Sequence, residues 1–93
     1  MGRKHMHTFH RYSPEAVRAG AIVVRLYHSG NEIRGYIRQI AEPGTEDTIF
    51  PGEEMEPEVA FRMADNKNRD TSQPIFVELS EGVSWDDTWG ELN

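Results

Sequence analysis

The chain has 93 residues, a net charge of −6 and no cysteine. Such a length supports one hydrophobic core, and the lack of thiols excludes disulfides and thiolate metal sites. The longest apolar run, AIVV at 21–24, falls far short of the ~20 residues that cross a bilayer, and no apolar stretch follows the basic N-terminus. Neither a membrane contact nor a secretory signal is expected, and the cytoplasm is the expected setting.

Charge is unevenly divided along the chain. Residues 1–41 carry seven Lys or Arg against Glu15 and Glu32, a net of +5, whereas residues 42–93 carry three basic against fourteen acidic residues, a net of −11. The division suits a basic partner, an acidic partner, or neutralisation inside the fold.

Residues 1–12, MGRKHMHTFHRY, follow neither the helix nor the strand period and read as a flexible basic arm, leaving one domain at 13–93. In SPEAVRAG, Ser13 can cap, Pro14 suits a first helical position and Gly20 stops the chain, which predicts a short leading helical turn. Residues 21–28 and 33–41 are β-rich runs on either side of Gly30-Asn31, a pair suited to a type II′ turn because glycine accepts positive φ at the first central position. That turn opposes Tyr27 to Arg34, Arg25 to Tyr36 and Val23 to Arg38. One hairpin face then carries Ile22, Val24, Leu26, Ile33, Gly35 and Ile37. The other carries Val23, Arg25, Tyr27, Arg34, Tyr36 and Arg38. A three-residue loop with a bulge would mix the two sets.

Residues 42–58 hold three prolines, two glycines and seven acids, and an acidic loop is predicted over 42–56, with Ile49 and Phe50 tethering it to the core. Pro57 opens a helix running to about Asn68, with Val59 and Met63 toward the sheet and Ala60 and Phe61 beside them. IFVEL at 75–79 alternates, and its brevity predicts an edge strand, which would offer a contact for a homodimer. Residues 80–93 form an acidic tail in which Ser84 can cap one helical turn and Trp85 and Trp89 share a side. The expected fold class is α+β: a small antiparallel or mixed sheet in β-β-α-β order, one main helix at about 57–68 on one face, a short leading helical turn and a mobile N-terminal arm. A right-handed crossover from the second hairpin strand through the helix is expected to cover that face.

The chemistry is concentrated in Arg25, Tyr27, Arg34, Tyr36, Arg38, Trp85 and Trp89. Rings and guanidiniums on one sheet face resemble what single-stranded nucleic acid needs for stacking and phosphate neutralisation. Three arginines give a salt slope of only about −2 on a single strand, so nucleic acid is the second choice of partner. The tail indoles could instead lie over the hairpin arginines as cation–π partners, or remain free as a motif for another protein. His5, His7 and His10 form an H-x-H-x-x-H cluster without a supporting carboxylate, so no metal site is assigned, and the acidic loop lacks calcium-loop spacing. His28 reads as a surface residue. No nucleophile elbow, P-loop, dinucleotide fingerprint or zinc-protease motif occurs, and no catalytic residue or cofactor is assigned. The expected function is a non-enzymatic interaction domain for an unknown protein partner. A weak single-stranded nucleic-acid binder is the alternative, ahead of an unrecognised enzyme.

Overall fold

Alternation of apolar and polar residues on either side of Gly30 builds the centre of the molecule. In the computed structural model, which describes residues 8–69 and 73–93, strands β2 (Ile22–Ser29) and β3 (Glu32–Gln39) pair antiparallel. Ser29 opposes Glu32, so the loop has two residues, and Val24 meets Ile37 and Arg25 meets Tyr36 as the turn chemistry requires. Gly30 has φ of 64° and no other residue type takes positive φ among the described residues, which matches type II′.

The α+β architecture is a mixed sheet of six strands with one main helix. Strand order is β4-β3-β2-β5-β1-β6, where β1 is Thr8–Arg11, β4 Thr48–Met55, β5 Ile75–Leu79 and β6 Glu91–Leu92. β5 runs parallel to β2 and to β1, β6 runs parallel to β1, and β4 is antiparallel to β3. The helix, α1 (Pro57–Lys67), starts on Pro57 at its first turn with Glu58 near the positive end and Lys67 near the negative one. It crosses β2 and β3 and links β4 to β5, so the crossover starts from β4 and not from the second hairpin strand.

The main core lies between α1 and the sheet. Ile22, Val24, Leu26, Ile37, Ile75 and Val77 are buried there, with Phe9, Met55, Ala60, Phe61, Ala64 and Val83. Each fully buried aliphatic or phenyl side chain removes enough apolar surface to contribute ~1.5–3 kcal/mol gross. The helix turns Ala60, Phe61 and Ala64 inward and leaves Val59 38% exposed, a rotation of about one residue from the expected Val59 and Met63 face. Ala60 lies over Gly35 at van der Waals distance from where a Cβ would stand, and Leu26 Cδ2 on the neighbouring strand leaves that Cβ little room.

Three further expectations are corrected. Residues 8–11 of the basic arm are a strand, because Phe9 is buried at 2% exposure and the backbone of β1 finds partners in β5 and β6. Residues 1–7 lie outside the described residues. The acidic loop is interrupted by β4, which holds its proline because an edge strand needs no inward N–H at every position. β5 is not an edge strand: it lies between β2 and β1 and buries Ile75, Phe76 and Val77 on both of its faces, which removes the argument for a homodimer through 75–79. The leading segment closes one turn, as expected, with the Ala16 N–H donating to the Ser13 carbonyl. Tyr12, Val17 and Ile40 then cover a second, smaller cluster of Ala21, Val23 and Phe76 on the sheet face away from α1.

Candidate functional site

Hairpin parity carries Arg25, Tyr27, Arg34, Tyr36 and Arg38 to the sheet face away from α1, where all five are half-buried. Cross-strand neighbours on one face are close enough to interact. The Tyr27 and Tyr36 rings accordingly lie 6.0 Å apart at a 54° tilt. Arg25 donates from Nε to Ser80 Oγ at 3.2 Å and from Nη1 to the Tyr36 hydroxyl at 3.5 Å. Among the described residues no carboxylate pairs with Arg25, whereas Arg34 is paired with Glu32 on its own strand.

Arg38 is committed to the fold. Its Nη1 donates to Asp47 Oδ2 at 3.1 Å and its Nη2 to Glu78 Oε1 at 3.2 Å, while the guanidinium carbon stands 5.0 Å from the centre of the Tyr12 ring. Burial works against this charge, but the hydrogen bond with Tyr12 and the Glu78 and Asp47 carboxylates outweigh it and raise the group above its ordinary range. Its Nε is buried with no hydrogen-bond partner among the described residues. Asp47 also accepts from the Ala41 N–H at 2.8 Å, so the arginine ties β3, β5 and the 41–47 turn together. The basic and acidic halves of the chain thus meet at Arg38, through Asp47 and Glu78.

Tyr27 stands beside Glu54 of β4. Burial raises its pKa first, and the neighbouring Glu54 carboxylate raises it further by charge and by hydrogen bonding. Ser29 Oγ donates to the same carboxylate at 3.4 Å. The face is therefore a ribbon of two rings and two guanidiniums, Arg25 and Arg34, bordered by Glu54 and by the Arg38 cluster.

Trp85 and Trp89 are elsewhere. They lie on the α1 side of the sheet in an aromatic group with Phe9 and Phe61, with Phe61 5.7 Å from each indole and the two indoles 5.1 Å apart. Trp85 Nε1 donates to the Gly90 carbonyl at 3.0 Å. Docking of the tail over the hairpin arginines is thus corrected: the indoles follow apolar surface and the ring contacts of Phe9 and Phe61, on the opposite layer. The cap is Asp86, not Ser84; its carboxylate accepts from the Thr88 N–H and hydroxyl, opening a 3₁₀ turn at Asp87–Trp89 that leads into β6.

The partners of the hairpin face were only partly readable beforehand. Glu78 falls on the arginine side by strand parity within 75–79, a signal available in the sequence. Asp47, Glu54, Ser80 and Tyr12 come from segments with no such period. His28 is exposed and contacts the Gly82 carbonyl through Nε2 at 3.0 Å. His10 stands on β1 against the Phe76 ring, while His5 and His7 fall outside the described residues. Among the described residues no group of three or more His, Asp or Glu is arranged to hold a metal ion, and no helix is long and apolar enough to cross a membrane.

No protein-family model, curated protein or solved structure matches the chain.

Proposed function

We propose that this chain is a non-enzymatic protein-interaction domain that binds its partner through Arg25, Tyr27, Arg34 and Tyr36 on the hairpin face. The observation that carries the reading is the half-buried Tyr27–Tyr36 pair with Arg25 beside it: rings and guanidiniums held on rigid strands lose little freedom on binding, and these residue types dominate interfaces. The tail favours this face by default, since its indoles are engaged with Phe9 and Phe61. A cytoplasmic setting belongs to the same proposal, supported by the absence of cysteine.

Single-stranded nucleic acid remains the second reading, on the same rings. Charge counts against it: Arg38 is held by two carboxylates and Arg34 by one, so among the described residues of this face Arg25 alone lacks a carboxylate and the salt slope falls to about −0.7. Affinity capture from the native host with the wild-type chain and with Tyr27→Ala/Tyr36→Ala, alongside salt-titrated binding of mixed single strands, tests the proposal. A protein retained by the wild type and lost from the variant supports it. Equal capture by both, or salt-sensitive binding of single strands that needs Tyr36, overturns it.

A further inference from the structure

β4 forms one end of the six-stranded order, with β3 on its inner side and no strand on its outer side among the described residues. An edge strand leaves a row of N–H and C=O groups free to accept another strand. Here adjacent residues add apolar surface on both sides of that edge. Ile49 is 57% exposed on the hairpin-face side, and Phe50 floors a groove of about 490 Å³ on the helix side together with Met63, Asn66 and Lys67. The flanks are acidic: residues 42–58 contain seven Asp or Glu and no Lys or Arg, and Glu46, Glu54 and Glu56 are exposed.

We infer that the outer edge of β4 at residues 48–50 receives an extended segment of a partner protein, made of apolar residues flanked by lysine or arginine. A strand laid there makes main-chain hydrogen bonds, and its successive side chains alternate between Ile49 and the Phe50 groove. The basic flanks meet Glu46 at one end and Glu56 at the other, which speeds encounter. Lys67 Nζ sits 4.5 Å from the centre of the Phe50 ring in the free protein, and as an exposed side chain it can swing to solvent when an apolar group takes that place. A second copy of the chain is a poor occupant. It would set acid against acid along residues 42–58. This surface is distinct from the Arg25–Tyr36 ribbon and does not depend on it.

The test is an NMR titration of the full ¹⁵N-labelled chain with a short blocked peptide of consecutive valines flanked by lysines, and with the same peptide flanked by glutamates. The lysine peptide should shift the Thr48, Ile49 and Phe50 amides and slow their hydrogen exchange, leaving amides 25–28 unmoved. Binding should weaken about tenfold or more in Ile49→Lys, whose unbound spectrum should be otherwise unchanged because the position is exposed. No response at residues 48–50 with millimolar peptide, or an equal response to the glutamate peptide, would overturn the inference. Concentration-dependent changes at these amides without peptide would overturn it too, in favour of pairing between copies.

Discussion

Gly35→Ala probes the close packing of β3 against β2 beneath the helix. A methyl at that position meets Leu26 Cδ2 at 2.7 Å, the Arg25 carbonyl oxygen at 3.1 Å and Ala60 Cβ at 3.5 Å. Carbon atoms attract best at about 3.5–4.0 Å, so the first contact is repulsive. Leu26 is completely buried, so its Cδ2 methyl gives way only by repacking against its core neighbours or by a shift of its strand, while Ala60 stands at ordinary van der Waals distance. Overpacking of this kind costs about 1–3 kcal/mol. Against it stands the loss of glycine freedom in the unfolded chain, which favours alanine by about 0.5–1 kcal/mol, since Gly35 has no positive φ to forbid the change. The net expectation is a destabilisation of about 1–2 kcal/mol, or a fall in Tm of roughly 5–15 °C for a domain of this size. Thermal and urea unfolding followed by circular dichroism would measure it. Shortening the clashing side chain in Gly35→Ala/Leu26→Val should recover part of the loss, as coupled neighbours do. A Tm at or above the wild-type value in the single variant would refute the close-approach argument.

Removing the charge hub in Arg38→Ala should destabilise by about 1–2 kcal/mol, the pairs being part-exposed and screened, and the deficit in urea unfolding should shrink in high salt; an unchanged midpoint at low salt would count against the hub. Tyr27 has its folded pKa raised, so the stability it contributes is complete below the ordinary tyrosine value and is lost as pH rises through the raised one. Glu54→Gln should bring its titration back toward that ordinary value without reaching it, because burial is the larger cause, as spectrophotometric titration of the phenols would show. Deleting the chain after Gly82 should lower stability and shift resonances of Phe9 and Phe61 while sparing amides 25–28 and 34–38; shifts confined to the hairpin would contradict the observed side of tail packing.

What was legible in the sequence is what local rules govern. Gly30-Asn31 taken as a two-residue turn sets a register, that register separates Val24, Leu26 and Ile37 from Arg25, Tyr27, Arg34, Tyr36 and Arg38, and Pro57 with Glu58 starts the helix. Each depends on residues a few positions apart, through backbone dihedrals and side-chain parity. The helix phase was less secure because Val59, Ala60, Phe61, Met63 and Ala64 spread apolar character around the cylinder. Ala60, which faces Gly35 of β3, turns inward with Phe61 and Ala64, and Val59 is left exposed.

Long-range pairing decided the rest. HTFHRY has no strand period, yet residues 8–11 form β1 because β5 and β6 supply hydrogen bonds on both sides and the α1 core takes Phe9. Pro51-Gly52 reads as a break, and becomes part of β4 because an edge needs only one paired side. IFVEL satisfies edge and central positions equally until β1 arrives to cover its outer side. The tail indoles could reach either layer by sequence alone. They lie with Phe61 and Phe9 on the α1 layer, where the aromatic surface is, while Arg38 pairs with Asp47 and Glu78 and Arg34 with Glu32 on the other. Local chemistry thus determined the two faces of the hairpin, and only tertiary structure decided what each of them meets.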